Sequence, residues 1–328
     1  HRFVVIGGGS IGKRHARNLF ANGVGHVLVV DPSPDRQAEA RTLGAETADT
    51  LADAADFQPT GCVIASPNVF HAENLADCLR LGLHTLVEKP LAVTSDDVSA
   101  TVDGFARTDL VCHVGSNFKF HPSFRRLKEA LPLIGAVYSA RAISGQYLPD
   151  WHPWEDYRKG YSANQSLGGG VLLDTHELLY MSWFLGPVTA VASMVDRVSD
   201  LEIDTEDLAV MILRHRDGPH STIQADYLQR TYRRSYEFTG SDGFLKWDVN
   251  ERAVSLYVKS EDRWTVWSEP RGYDLNQMYL DQTRHFLDTI EGTAKGENLT
   301  PLSEGLAVLR LTEAAKQAAA ESRTVAVS

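Results

Sequence analysis

The sequence predicts an α/β protein: a doubly wound parallel sheet comes first, then an α+β domain with a large, mostly antiparallel sheet. Three observations carry this expectation. A glycine-rich turn joins the first apolar run to the first helical pattern. Short apolar runs then alternate with helical patterns up to residue 115. From about residue 136 to 268 strand-like stretches dominate.

Residues 3–6, FVVI, read as the first strand. Gly7-Gly8-Gly9-Ser10-Ile11-Gly12 then satisfies G-x-G-x-x-G through Gly7, Gly9 and Gly12. A helix follows with Ile11, Ala16, Leu19 and Phe20 on one side, and a second run, HVLVV at 26–30, ends at Asp31. Strand, glycine turn, helix, strand and acid in this order predict a Rossmann dinucleotide fold. Gly7 makes the tight turn, Gly9 lets the backbone approach a pyrophosphate, and Gly12 lets the helix pack close to the strand. The helix N-terminus, at Ser10 and Ile11, offers N–H groups and a positive dipole end to the phosphates. Asp31 lies 19 residues after Gly12, where a carboxylate can accept both ribose hydroxyls. Its charge would repel a 2′-phosphate, so NAD is expected over NADP. Arg36 nearby keeps NADP open.

The alternation continues with strands at 61–66, 84–88 and 110–115. Between them, Ala72, Leu75, Ala76 and Leu79 form one helix face, and Val98, Val102 and Phe105 another, with Ser95 as its N-cap. In such sheets ligands sit beyond the carboxyl ends of the strands. Ser66-Pro67-Asn68 and Glu88-Lys89-Pro90 each follow directly on a strand, so both are expected at the nicotinamide half of the cofactor. Proline restricts the residue before it and makes a cis bond possible, which would hold Lys89 in one direction. On position alone, a strand-ending lysine in solvent is the plainer alternative. His71, an ordinary first-turn helix residue on the simpler reading, and Asn117 complete the cofactor candidates.

In the second half, residues 121–135 predict a helix with Phe124, Leu127 and Leu131 inward. The strand-like stretches that follow lack helical crossovers and should pair antiparallel. In DLAVMIL, Leu208, Val210 and Ile212 point one way and Ala209, Met211 and Leu213 the other. Both faces are apolar, so both should be covered, one by helices of the same chain and the other by a second subunit. Residues 148–170 crowd Trp151, His152, Trp154, Tyr157, Arg158 and Tyr161 ahead of Gly168-Gly169-Gly170. Rings stack on sugar C–H faces while Arg and Tyr bond hydroxyls or carboxylates, so this loop is a substrate candidate; a packed loop is the alternative. Lys119 and His121 follow the last strand of the first domain and are further substrate candidates, His121 alternatively a cap before Pro122. The glycine run reads as a flexible approach to a helix carrying Asp174 and His176, with a phosphate cradle as the alternative.

Bulk composition narrows the class. A net charge of −11 argues against nucleic acid as the main partner. No apolar run approaches a membrane span, and a strand opening at Arg2-Phe3 leaves no signal peptide expected. The three cysteines, Cys62, Cys78 and Cys112, match no zinc spacing, so no metal is expected; they fit a reducing, cytoplasmic setting as buried small apolar residues.

The segments GGGSIGKRHARNL, ASPNVFHAENLADCLRLGLHTLVEKPLA, GGGVLLDTHELLYMSWFLG and the closing residues 303–327 together resemble the Gfo/Idh/MocA oxidoreductases over nearly the whole chain. Glu88-Lys89-Pro90 is the most specific piece. The resemblance implies a Rossmann domain, here 1–119, and a substrate-binding and oligomerising domain, 120–328, with the C-terminal helix able to pack back on the first. It implies hydride transfer between NAD(P) and a secondary alcohol or ketone of a sugar, polyol or sugar derivative, in a homodimer or homotetramer joined through the C-terminal sheet. It implies that Lys89 acts at the reacting oxygen, joined by an Asp and a His spaced D-x-x-x-H. Asp174 and His176 are the match here, at a shorter spacing. Two alternatives stand beside the dehydrogenase: an enzyme that oxidises and re-reduces its sugar with retained NAD, and a non-catalytic NAD sensor.

Overall fold

The computed structural model describes residues 1–151, 153, 155–295 and 300–327, the side chain of Ala55 excepted. The chain forms two compact units, one of His1–Phe120 with Asp274–Leu306, the other of His121–Tyr273 with Ala307–Ser328. In chain order the first unit holds β1 (Arg2–Ile6), α1 (Ser10–Ala21), β2 (His26–Val30), α2 (Pro34–Thr42), β3 (Glu46–Ala48), β4 (Gly61–Ile64), α3 (His71–Arg80), β5 (His84–Val87), α4 (Ser99–Phe105) and β6 (Cys112–Val114). Then come α5 (Pro122–Ala130), β7 (Val137–Gly145), α6 (Val171–Asp174), α7 (Glu177–Leu185), β8 (Val188–Asp196), β9 (Leu208–His215) and β10 (His220–Asp226). β11 (Arg233–Gly240), β12 (Gly243–Asp248), β13 (Ala253–Val258), β14 (Arg263–Ser268), α8 (Asn276–Ile290), β15 (Thr300–Pro301), α9 (Leu302–Glu321) and β16 (Val325–Ala326) complete the chain.

The first unit's sheet runs β3-β2-β1-β4-β5-β6-β15, parallel except for the closing β15. The chain builds outward from β1 in one direction and then restarts beside it with β4, so β1 and β4 flank the topological switch point. Phe3, Val4 and Val5 of β1 and Cys62, Val63 and Ile64 of β4 are all buried, as expected of strands covered on both faces. α8 belongs to this unit: its Gln282 side-chain oxygen accepts the Ser116 N–H at 2.7 Å, and Asn276 Nδ2 donates to Asn18 of α1 at 3.0 Å.

Two helices differ from expectation. α4 starts at Ser99 with Val98 at its N-cap, so Ser95 does not cap it; Ser95 instead offers its backbone carbonyl to the Ser99 hydroxyl at 2.6 Å. In α3 the buried stripe is His71, Leu75 and Cys78. Ala72 and Ala76 lie off it because a hydrogen-bonded histidine takes the inward position. The three cysteines are free; Cys62 and Cys78 are buried as expected of small apolar fillers, whereas Cys112 is half-buried, and burial pushes the Cys62 and Cys112 thiols well up. Among the described residues no helix is long and apolar enough to cross a membrane.

The second unit's sheet runs β14-β13-β12-β11-β7-β10-β9-β8-β16. Its described pairs are antiparallel except β7 with β10, which run parallel. The sheet is thus mostly antiparallel, as expected, with this one parallel pair. The connection from β7 to β10 contains α6, α7 and two further strands, long enough to return the chain to the same end. One face of this sheet is covered within the unit: Ala209, Met211 and Leu213 are fully buried, and α5, α6 and α7 pack on it. Val210 and Ile212, on the other face, are 40% and 54% exposed.

Phe124 of α5 centres the covered side, its ring edge-on to Tyr236 at 5.0 Å, Trp247 at 5.2 Å and Tyr180 at 5.3 Å between centroids. Phe124→Ala should therefore lower unfolding stability by about 3–5 kcal/mol in urea titration. A loss under about 1 kcal/mol would show that this cluster is not the unit's core.

Candidate active site

In the first unit the site begins at the glycine turn. Gly7 has φ of 100°, and a Cβ there would lie 2.5 Å from the Ala65 carbonyl oxygen. At Gly12 a Cβ would lie 1.7 Å from the Gly7 carbonyl oxygen, so the helix could not seat this close to the turn with any side chain there. Gly9 caps α1 without a side-chain bond, α1 carries no acidic residue in its first turn, and nothing stands within 4 Å of the Gly9 Cβ position. That open N-terminus, at Ser10 and Ile11, fits a dinucleotide pyrophosphate. Asp31 is buried beneath the turn, where its Oδ2 accepts the Gly8 N–H at 2.7 Å and its Oδ1 the Ser33 N–H at 2.9 Å. Oδ1 keeps a second acceptor position for a ribose hydroxyl, whereas Oδ2 also accepts from Arg36 Nη1. Arg36 stands 3.4 Å from the same carboxylate.

The ladders of β1, β4 and β5 end together. The Ala65 N–H donates to Ile6 at 2.8 Å, Glu88 to Ile64 at 2.9 Å and Gly115 to Val87 at 2.7 Å. Ser66, Pro67 and Asn68 therefore leave β4 beside the point where Glu88, Lys89 and Pro90 leave β5. Asn68 is buried, Lys89 is half-buried, and the Lys89–Pro90 bond is cis. Glu88 reaches back to the dinucleotide helix, 2.7 Å from His15 Nε2, and also accepts the Lys89 N–H at 3.3 Å. Burial works against its charge, but the His15 hydrogen bond and the charges of His15 and Lys89 hold its carboxyl below the ordinary value. His71 is buried with both ring nitrogens on backbone carbonyls, Nδ1 at 2.7 Å from Pro90 and Nε2 at 2.9 Å from Ser66.

Asn117 and Lys119 lie on a buried turn of 3-10 helix, Asn117–Phe120. Lys119 Nζ meets Glu304 at 3.2 Å; burial lowers the lysine pKa, and the Glu304 charge opposes that.

In the second unit, Asp174 and His176 do not share one helix. α6 ends at Asp174, Thr175 is extended (φ −67°, ψ 141°), and His176 is the N-cap of α7. This break replaces the helical turn that the longer spacing would supply. Asp174 is buried and accepts a hydrogen bond from the Tyr227 hydroxyl; burial and the Asp174 charge push the Tyr227 pKa well up. The His176 ring lies parallel to Tyr180 at 5.8 Å. Its backbone is fixed by Glu177, whose Oε2 accepts the His176 N–H at 3.1 Å and the Thr175 hydroxyl at 2.6 Å. Glu177 Oε1 is gripped by Arg234 at 2.7 and 2.8 Å and by the Tyr236 hydroxyl at 3.2 Å. Burial alone would raise the Glu177 pKa; the Arg234 charge and these hydroxyls outweigh it and hold it down.

The aromatic loop is partly committed to its own packing. Trp151 stands edge-on to Tyr227 at 5.3 Å and donates to the Gln146 carbonyl at 3.3 Å. Arg158 is bound by Asp156 at 2.7 Å and Glu202 at 3.0 Å, and the Tyr157 hydroxyl accepts the Glu202 N–H at 3.2 Å. Tyr161 is 39% exposed. Trp154, with His152, lies outside the described residues. His121 is buried and caps α5, accepting the Ser123 N–H at 3.3 Å. Burial pushes its pKa to about 4, with the Glu269 charge opposing and those of Arg234 and Arg252 adding.

Sequence reasoning missed His15, Glu177, Tyr227 and Arg234. A glutamate directly after His176, on an otherwise apolar helix, was a signal for Glu177. The other three are brought in only by tertiary pairing. Among the described residues no group of three or more His, Cys, Asp and Glu is placed to hold a metal.

Comparison with known proteins agrees with the fold. Residues 1–116 match the family model described as an oxidoreductase family with an NAD-binding Rossmann fold, and residues 124–246 match the GFO/IDH/MocA C-terminal domain. The chain is 27% identical to an inositol 2-dehydrogenase of Rhizobium meliloti, covering 100% of this chain and 99% of that protein. It is 28% identical to a myo-inositol 2-dehydrogenase of Thermotoga maritima, covering 99% and 98%. The fold superposes on a levoglucosan dehydrogenase in complex with NADH and levoglucosan with a TM-score of 0.88 at 20% identity, over 99% of both chains.

Replacing Glu177 by Gln should leave Arg234 as an uncompensated buried charge and cost about 3–5 kcal/mol in chemical denaturation. A variant as stable as the parent would show that the pair does not hold the Thr175–Glu177 segment.

Proposed function

Because the chain belongs to the Gfo/Idh/MocA family of NAD-binding oxidoreductases, we propose that it is an NAD-dependent dehydrogenase acting on a secondary alcohol or ketone of a sugar, polyol or sugar derivative. The observation that carries this reading is the exit of Glu88-Lys89-Pro90 from β5, one strand over from the switch point of a dinucleotide sheet. The two full-length inositol dehydrogenase relatives favour a polyol or cyclic sugar. Bound NAD would supply the hydride acceptor.

The chain's own residues orient the substrate and manage its proton. In this reading Lys89 donates to the reacting oxygen and stabilises the negative charge that develops there. His176 takes up the hydroxyl proton, and Asp174, itself held by Tyr227, orients or charges its neighbours. Gly7, Gly9, Ser10, Ile11 and Gly12 cradle the pyrophosphate, and Asp31 receives the ribose, favouring NAD over NADP. Ser66, Pro67, Asn68, Glu88 and Asn117 border the nicotinamide half. Lys119, His121, Trp151, Tyr157 and Tyr161 are the described substrate candidates. Arg158 serves there only by leaving its two carboxylates. Residues 1–119 bind the cofactor and 120–328 the substrate. The free cysteines favour a cytoplasmic setting.

The open sheet face supports assembly into a homodimer or homotetramer. The strand register puts Met194, Val210 and Ile212 on the same face, and Val266 lies further along it; these apolar side chains are between 40% and 73% exposed. Ile212→Glu should convert the assembly to monomers by light scattering. An unchanged mass for the variant, or a monomeric parent, would refute assembly through this face.

Lys89→Ala should lower kcat by about 10²–10⁴-fold while NAD affinity stays within about threefold. The assay is NADH absorbance at 340 nm over a panel of inositols, aldoses and uronates. Turnover of the variant near the parent's would refute the role given to Lys89.

A further inference from the structure

His71 is used by nothing in the chemistry above, yet it is 1% exposed and has a backbone carbonyl oxygen within 2.9 Å of each ring nitrogen. Its two carbonyl partners belong to the two segments that leave β4 and β5. Nδ1 meets Pro90, the residue after Lys89, at 2.7 Å. Nε2 meets Ser66, in the segment leading to Asn68, at 2.9 Å. The base of the ring is fixed as well. His71 opens α3, whose Leu75 and Cys78 are fully buried, and Asn74 of the same turn donates to the Ser66 hydroxyl at 2.9 Å.

We propose that His71 is a positioning residue: its imidazole, seated in α3, holds the Pro90 carbonyl through an N–H on Nδ1 and thereby sets where Lys89 stands. This rests on the reading of Lys89 as the group at the reacting oxygen. With both nitrogens turned to protein carbonyls, the ring acts through Lys89 and does not touch the dinucleotide. A neutral imidazole has one N–H and one lone pair. Burial favours that neutral form, while the two carbonyls and the Glu88 charge pull toward the protonated ring and the Lys89 charge opposes it. Pro90 is the partner at the shorter distance, and it is the one attached to Lys89.

The two amide residues separate the contacts. Asn places its amide where Nδ1 stands and keeps a donor for Pro90; Gln reaches to the Nε2 position and keeps one for Ser66. His71→Leu should lower kcat by about 10- to 100-fold, the scale of a small misplacement of a reacting group, with NAD affinity within about threefold. His71→Asn should retain kcat within about fivefold, and His71→Gln should fall with Leu. In the Lys89→Ala background, His71→Leu should add nothing, because a residue acting only through Lys89 has nothing left to position.

Hydrogen exchange without substrate gives a readout independent of turnover. The amides of Glu88, Lys89, Leu91 and Ala92 should exchange faster in the Leu variant and stay protected in Asn. Unchanged exchange there, equal kcat losses in Asn and Leu, or additive losses with Lys89→Ala would each overturn the positioning role. Normal turnover of Lys89→Ala alone would instead refute the reading of Lys89, leaving the exchange result to decide whether His71 holds the Pro90 carbonyl.

Discussion

The first unit's chemistry depends on one constraint, the parallel register that ends three strands at the same level. Ile6 pairs with Ile64, and Ile64 with Val87. Gly7, Ala65 and Glu88 are therefore the first residues past the ladder on adjacent strands. A slip of one residue would turn each strand's side chains to the opposite face and carry Lys89 away from the turn that receives the dinucleotide. The register is secured by burial on both faces, since Val4 on one face and Val5, Val63 and Leu86 on the other are all buried. Polar ties then fix the exits themselves: His15 to Glu88, and His71 to Pro90.

The second unit solves a related problem with charge. His176 sits at a helix start after an extended residue, a place where backbone is easily displaced. Glu177 answers this by accepting from the His176 N–H and the Thr175 hydroxyl while Arg234 neutralises it. An ion pair buried this deeply adds little net stability, because desolvation offsets attraction. What the pair does is hold a path: the same carboxylate binds the His176 N–H, the Thr175 hydroxyl and Arg234. Phe124 and the aromatic rings around it supply the apolar floor for that network.

Much of this was legible in the sequence because the relevant signals are local. The glycine spacing, Asp31 at the end of β2 and the proline after Lys89 are features of a few consecutive residues. The strand-rich second half was equally plain, but the parallel pairing of β7 with β10 was not, because it depends on where a long connection returns. The displaced stripe of α3 was hidden for a different reason. Alanine fits either margin of a helix face, whereas the inward place of His71 is settled by carbonyls from two other segments. Tyr227 beneath Asp174 and Arg234 against Glu177 join positions 53 and 57 residues apart, a pairing no periodicity encodes. The shortened Asp174–His176 spacing pointed to a departure without showing its form, an extended Thr175 between two helices.

The most direct test of the account is the fate of a carbon-bound hydrogen. Inositols and sugars deuterated at their carbinol carbons would be incubated with the protein and NAD, and the dinucleotide recovered for mass spectrometry. The account predicts one deuterium on the nicotinamide ring with at least one polyol or sugar, and labelling slowed in proportion to the loss of turnover after Lys89→Ala. A dinucleotide that stays unlabelled across the panel, while calorimetry shows it and a polyol both bound, would contradict hydride transfer as this protein's chemistry.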